Sequence, residues 1–157
     1  MGRSYDQNCP IALTLDVVGD RWTMLIVREL LNHGERRFAD LEQALAGIAP
    51  NVLSERLRHL EDSGMVERAI YSERPLRAWY QLTEQGRDLG FVAGALSYFG
   101  TRHMMKGAKV THGDGDHAIT IRYYCPDCGE RVPAGEVWPQ FAGGPAGPFP
   151  GAKARLP

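Results

Sequence analysis

The sequence predicts a mainly α-helical fold with a small β-hairpin, followed by a small β-rich extension. Apolar residues recur with helical spacing over most of residues 5–105. Within that stretch, residues 66–82 contain two strand-like runs separated by a loop. A third alternating run, at residues 119–124, leads into Cys-Pro-Asp-Cys-Gly. These patterns separate a helical part of the chain from a later part of different character.

Composition and charge exclude several classes of protein. The 157 residues are 43% hydrophobic and 24% charged, which is typical of a globular chain with its own core. The apolar runs are too short to span a bilayer and the first residues lack a signal peptide's apolar stretch, so we expect a cytoplasmic protein without a membrane partner. The formal net charge of -1 means that evidence for nucleic-acid binding must be local.

Composition also predicts the domain organisation. Residues 5–105 form the helical domain, residues 106–117 a polar linker, residues 118–141 a β extension that resembles a zinc ribbon, and residues 142–157 a tail. The tail is too rich in glycine and proline to fold alone.

Four short helices precede the hairpin. Pro10 suits the first position of a helix that stops at Gly19, and a second helix follows. The third helix closes at Gly47 and the fourth at Ser63, and only residues 48–50 connect them. Two helices this short, joined so tightly, predict a helix-turn-helix.

The hairpin completes the predicted architecture. Residues 66–71 predict one strand, residues 72–77 a loop and residues 78–82 a second strand, and a long helix begins near Leu82. Four helices, a hairpin and a long helix in this order predict a winged helix-turn-helix, in which the hairpin is the wing.

The same residues resemble one protein family. Residues 9–26, 53–68 and 80–86 are similar, in order, to motifs of the HxlR family of bacterial regulators, which are relatives of MarR. The resemblance covers about residues 9–105. It implies a transcriptional regulator that binds double-stranded DNA as a homodimer built from the first and last helices. Such a dimer would place two helices in successive major grooves of a near-palindromic operator.

The fourth helix carries the predicted DNA-reading surface. With its leucines turned inward, its polar side chains lie on the opposite side. Asparagine can pair with adenine, arginine with guanine and glutamate with cytosine. The alternative is an ordinary solvated helix face, but the hairpin and the resemblance favour DNA. The predicted contacts on this helix are Asn51, Ser54, Glu55, Arg58 and His59.

Arginines outside this helix are predicted to contact the DNA backbone. Arg74 and Arg77, at the tip of the wing, would reach a minor groove or its phosphates and add affinity rather than selectivity. Arg36 and Arg37, ahead of the third helix, are predicted phosphate contacts. The alternative for all four is surface charge.

The last helix predicts the dimer. Two series of apolar residues recur seven apart along it and form a seam for another helix. Three glycines four apart would let another backbone approach, although the helix could instead pack only within its own subunit. The apolar series are Leu82, Leu89, Leu96 and Val92, Phe99, and the glycines are Gly86, Gly90 and Gly94.

Cys9 is the predicted redox-sensing residue. It directly precedes Pro10, at a helix N-terminus where free N–H groups and partial positive charge favour a thiolate. The resemblance implies that a cysteine here can respond to oxidants or electrophiles. We therefore expect control by thiol modification or a small-molecule effector, with a merely structural small residue as the alternative.

Cys125 and Cys128 predict half of a zinc knuckle. Zinc needs four ligands, which His112 and His117 could complete, or two chains could each supply one cysteine pair. A metal-free turn and a redox dithiol are the alternatives. Zinc is therefore a conditional cofactor, and no other cofactor is predicted.

The patterns together favour a transcriptional regulator, more a repressor than an activator. A thiol-based redox enzyme and a protein-interaction adaptor built on a winged helix are the alternatives. We expect no enzyme, because no Ser-His-Asp order, phosphate loop or dinucleotide fingerprint stands out and no base for a catalytic thiol can be named.

Overall fold

The structure is a computed structural model that describes Tyr5 and residues 9–74, 76–113 and 117–137. The chain divides into two compact units, residues 1–97 and 98–157. The predicted tail, residues 142–157, and the end of the predicted extension, residues 138–141, lie outside the described residues.

The predicted order of helices and hairpin is confirmed, with a short extra strand before the third helix. Helix α1 begins at Pro10, as the sequence predicts, and α4 begins at Pro50, the last residue of the predicted connection. The elements are α1 (Pro10–Val18), α2 (Thr23–His33), β1 (Arg36–Arg37), α3 (Phe38–Ala44), α4 (Pro50–Asp62), β2 (Val66–Glu73), β3 (Leu76–Leu82) and α5 (Glu84–His103).

The wing is longer than predicted. Strands β2 and β3 pair antiparallel from Val66 opposite Leu82 to Glu73 opposite Leu76, with β1 on the far edge of β3. The predicted loop at residues 72–77 is therefore wrong at both ends, because a register shift after Ile70 lets pairing continue almost to the tip. The strands consequently extend farther from the helices than expected.

Helix α5 begins two residues after the predicted start. Leu82 belongs to β3, so its assignment as the first residue of the apolar seam of the helix is wrong. Thr83 lies between β3 and α5 and caps the helix. Its hydroxyl accepts a hydrogen bond from the backbone N–H of Gly86, with N and O 2.9 Å apart.

The core of the first unit lies between the helices and the sheet. Leu53, Leu57 and Leu60 of α4 are almost completely buried and pack with Ile26 and Leu41. Burying a leucine side chain stabilises a fold by about 1.5–3 kcal/mol. These three leucines fix which side of α4 faces outward.

The predicted glycine stripe of α5 has different surroundings along its length. A Cβ at Gly86 would overlap the carbonyl oxygen of Met65, so this glycine allows close packing within the subunit, not with a partner. A Cβ at Gly90 would lie 3.6 Å from Leu31, whereas a Cβ at Gly94 would meet no described atom within 4 Å. The prediction of a partner backbone is therefore wrong for Gly86 and remains a prediction for Gly94.

The second unit contains two small antiparallel hairpins. They are β4 (Thr111–His112) with β5 (His117–Ala118) and β6 (Tyr123–Tyr124) with β7 (Arg131–Val132), followed by a short helix at Ala134–Glu136. Of the predicted strand at residues 119–124, only Tyr123 and Tyr124 form a strand. The N–H of Ile119 donates to the carbonyl oxygen of Val110 at 2.9 Å, which continues the pairing of β4 with β5 by one bond, and residues 120–122 belong to no strand of the described residues. Strand β4 also lies within the segment predicted as a linker.

None of the helices in the described residues is apolar and long enough to cross a membrane.

Candidate nucleic-acid interface

Helix α4 presents its polar side outward, opposite the buried leucines. Asn51, Ser54, Glu55 and Arg58 are all exposed, as predicted. The N-cap residue Ala49 has an extended backbone and no side-chain cap. The first N–H groups of the helix are therefore free of a local side-chain acceptor, and such groups can bind an anion.

Arg56 was missed by the sequence analysis. Its guanidinium forms ion pairs with Asp20, which precedes α2, and with Glu55, where the contacting N and O are 2.6 Å apart. The Arg56 side chain is only 15% exposed. It therefore ties α4 to the connection between α1 and α2. Its neighbours in the sequence, Glu55 and Leu57, gave no signal of this role.

The structure gives His59 a contact within the protein. Its ring nitrogen Nε2 lies 3.0 Å from the carbonyl oxygen of Asp16 in α1, and the residue is half-buried. One ring nitrogen of His59 thus holds α4 against α1, and the contact of His59 with DNA at the edge of the reading surface remains a prediction.

The predicted arginines near the wing occupy four different environments. Arg74 lies in the tip turn and Arg77, predicted in the loop, lies in β3, and both are exposed. Arg36 is half-buried in β1. Arg37 is exposed and its guanidinium lies over the Trp79 ring, 4.3 Å from the centroid. The planar cation of Arg37 is thus held in one orientation.

A groove with a volume of about 580 Å³ lies between the wing and helices α3 and α4. Ser54 lines it from α4, so the exposed side of α4 continues into the groove along the wing. Among the described residues, the arginines that line it form no ion pair with an acidic side chain, so the groove is positively charged. Its lining comprises Arg37, Phe38, Ala39, Ser54, Arg68, Tyr71, Leu76, Arg77, Ala78 and Tyr80.

Arg68 is the second residue that sequence reasoning missed. It lies in β2 opposite Tyr80 of β3, and both residues line the groove. The sequence contained a signal for this residue. Arg68 lies two positions after the buried Val66, in the predicted strand that directly follows the reading helix.

Cys9 occupies the predicted position at the start of α1. It is the N-cap residue, with extended backbone, and its carbonyl oxygen accepts a hydrogen bond from the N–H of Leu13 at 2.9 Å. The residue is half-buried and its side chain makes no cap hydrogen bond. The thiol is therefore partly accessible and lies beside the unpaired N–H groups of the helix.

The predicted four-ligand zinc site is not assembled. Cys125 and Cys128 share one turn and the rings of His112 and His117 have centroids 5.7 Å apart. Within the described part of the chain, however, no three His, Cys, Asp or Glu side chains are grouped to hold a metal ion. The Cys2His2 arrangement within one chain is therefore corrected, because the two pairs belong to different hairpins and do not converge.

Large apolar side chains are exposed on the first and last helices. Ile11 of α1 is 61% exposed and Phe91 of α5 is 80% exposed, and Leu13, Leu96 and Phe99 are more than half exposed. The earlier members of the predicted α5 seam differ, because Leu89 is buried in the core and Val92 packs against it. Only the later half of the seam is available to a partner.

Comparisons with known proteins agree with this architecture. The family model described as HxlR-like helix-turn-helix matches residues 17–108. An uncharacterized HTH-type transcriptional regulator of Mycobacterium tuberculosis is 39% identical over 151 residues, covering 93% of this chain and 89% of the relative. The solved structure of a putative transcription factor from Pseudomonas aeruginosa is 35% identical with a TM-score of 0.65, covering 89% of this chain and 95% of that one. The oxidized redox regulator HypR is 32% identical with a TM-score of 0.56, covering 60% and 97%.

Proposed function

Because the chain belongs to the HxlR-like helix-turn-helix family, whose relatives are HTH-type transcriptional regulators, we propose that it is a DNA-binding repressor that acts as a homodimer on a near-palindromic operator. The observation that carries this proposal is the exposed polar side of α4, which continues through Ser54 into the arginine-lined groove.

Helix α4 reads the bases in this proposal. Arg58 can donate two hydrogen bonds to N7 and O6 of guanine, and Asn51 can pair with adenine. Both are exposed, and neither is drawn into an ion pair within the described residues. Glu55 has a different role, because Arg56 holds its carboxylate. Glu55 orients the Arg56 side chain more than it selects a base.

The wing and the groove bind the sugar-phosphate backbone. Arg37, Arg68 and Arg77 line the groove, and Arg74 lies at the exposed tip. Arginine is suited to this task because its planar group donates bidentate hydrogen bonds to phosphate. Arg36 is half-buried beside Arg37 and supports this surface from β1.

The exposed apolar faces of α1 and α5 form the dimer contact. Removing Ile11 and Phe91 from water would stabilise an interface by roughly 25 cal/mol per Å² of apolar surface. A two-fold dimer presents two copies of α4 to one duplex, which is why the operator is near-palindromic.

Control of binding operates through Cys9. The thiol is partly accessible at the N-terminus of α1, whose neighbouring residues carry the proposed dimer face. The similarity to a redox regulator, HypR, supports a thiol mechanism, and an electrophilic small molecule is an equivalent effector by the same chemistry. Modification of Cys9 would alter the distance between the two α4 helices and release the operator.

Sequencing the genomic DNA fragments retained by the purified protein tests this function. We expect enrichment of a near-palindromic motif with half-sites about one helical turn apart. In binding assays on that motif, Arg58→Ala should lose discrimination of about 1–3 kcal/mol at one base position. Arg77→Ala should weaken all duplexes equally and lower the salt slope by about 0.9.

Arg131→Ala, which removes an exposed arginine outside α4 and the wing, is the matched control and should leave both properties unchanged. Binding without sequence preference, or an operator preference untouched by Arg58→Ala, would reject the assignment of α4 as the reading helix. Absence of salt-dependent duplex binding would favour an adaptor that contacts other proteins.

A further inference from the structure

Cys125 and Cys128 have no part in the proposed function, yet they lie together in one structured turn. The turn joins β6 to β7, and both cysteines have free thiols. We propose that they form a reversible dithiol–disulfide site in the second unit, which reacts with small disulfides and is separate from Cys9.

The backbone holds the two cysteines at fixed positions in the turn. The N–H of Gly129 donates to the carbonyl oxygen of Cys125 at 2.9 Å, and the N–H of Cys125 donates to the carbonyl oxygen of Glu130 at 3.0 Å. Gly129 has a φ of 72°, which favours glycine. A turn closed by such an i to i+4 bond brings residues i and i+3 within the Cα separation of about 4.4–6.8 Å that a disulfide requires.

Both sulfurs are accessible to a small reagent. Cys128 is exposed and Cys125 is half-buried. The turn lies at the end of a two-residue hairpin whose Tyr123 and Tyr124 are also exposed. A disulfide can therefore form without opening a core.

The two thiols have different roles. Hydrogen bonds from the backbone and side chain of Cys128 and from the backbone of Asp127 lower the pKa of Cys125. These donors stabilise the Cys125 thiolate, which makes Cys125 the attacking sulfur. Cys128 is the resolving sulfur, which attacks in the second step.

The reaction balances as a thiol–disulfide exchange. The Cys125 thiolate attacks one sulfur of a small disulfide RSSR, forms the mixed disulfide Cys125–SR and releases one thiolate RS⁻. Cys128 then loses its proton and attacks the Cys125 sulfur, which releases the second RS⁻. The proton that Cys128 loses passes to one leaving thiolate and the buffer supplies a proton to the other, so the protein loses two electrons and RSSR becomes two RSH.

The test uses the full-length chain with Cys9→Ser, which leaves only Cys125 and Cys128 of the three cysteines. The protein is equilibrated in a series of buffers with increasing ratios of oxidised to reduced glutathione, quenched in acid, alkylated and analysed by mass spectrometry. We expect both alkylation sites to disappear together, with the oxidised-to-reduced ratio changing tenfold per about 30 mV. Adding Cys128→Ser should stop the reaction at one glutathione adduct, located on Cys125.

Three results would overturn the proposal. Both cysteines could remain alkylatable throughout, the disulfide could join two chains on a non-reducing gel, or the purified protein could carry a stoichiometric metal that blocks alkylation. Faster alkylation of Cys128 than of Cys125 at neutral pH would overturn the assignment of the attacking sulfur. No DNA is present, so these outcomes are independent of the proposed repressor function.

Discussion

The guanidinium of Arg37 stacks on the ring of Trp79, and the same two residues are opposite each other in the pairing of β1 with β3. Arg37 is also the N-cap residue of α3, and its N–H donates to the Asp40 carboxylate at 3.0 Å. A second ring, that of Tyr71 in β2, lies 5.4 Å from the Arg37 guanidinium. One residue thus joins the start of a helix to both strands of the wing.

This stack should measurably stabilise the attachment of the wing. In a double-mutant cycle of Arg37→Gln and Trp79→Leu, we expect a coupling free energy of about 0.5–1 kcal/mol from urea unfolding. Trp79→Phe is the control and should keep most of the coupling because it retains an aromatic face. Additive effects of the two substitutions would show that the stack contributes nothing to stability.

The two ends of the glycine stripe in α5 should respond oppositely to alanine. Gly86→Ala should lower the free energy of unfolding by about 1–3 kcal/mol, because the new Cβ meets the rigid backbone of Met65. Gly94→Ala, the matched control in the same helix, should raise it by about 0.5–1 kcal/mol, because the site is open and alanine favours helix.

Urea unfolding at two protein concentrations separates the explanations for Gly94. A gain at both concentrations fits an open helix surface. A loss in Gly94→Ala that is accompanied by weaker dimerisation would instead place a partner backbone against this glycine.

Local patterns predicted the first unit well because its elements depend on nearby residues. Pro10 fixed the start of α1, and the spacing of Leu53 and Leu57 fixed the inner side of α4. What remained hidden were contacts between residues distant in sequence, such as Arg56 with Asp20 and His59 with Asp16. The spacing of apolar residues in a sequence does not show which distant partner a polar side chain will contact.

The second unit was predicted less well for a related reason. Ile119 and Ile121 alternate like a strand, but strand pairing needs a neighbour. Among the described residues, the pairing of β4 with β5 ends with the hydrogen bond from the N–H of Ile119 to the carbonyl oxygen of Val110, and residues 120–122 belong to no strand. Both isoleucines remain partly exposed. The Cys-Pro-Asp-Cys-Gly turn was recognisable because its geometry depends on five consecutive residues, whereas its chemistry depends on what else converges there.

Oxidant sensitivity of operator binding should depend on Cys9. Mild hydrogen peroxide or an electrophile should weaken binding by the parent protein at least tenfold and leave Cys9→Ser unaffected, as measured by fluorescence anisotropy on the selected operator. The double variant Cys125→Ser/Cys128→Ser is the control and should respond like the parent. Equal responses of the parent and Cys9→Ser would remove Cys9 as the sensor.

Dimerisation should depend on Phe91, the most exposed large hydrophobic side chain among those described. Phe91→Glu would bury an unpaired charge in the proposed interface, so we expect the dimer dissociation constant to rise at least tenfold in sedimentation equilibrium. The helical circular dichroism should stay unchanged because this side chain is outside the core. Leu76→Glu, on the wing, introduces the same charge at a side chain that is 59% exposed and should leave dimerisation unaffected. If Phe91→Glu remained as dimeric as the parent, α5 would not form the two-fold contact and the spacing of the two α4 helices would have to be set elsewhere.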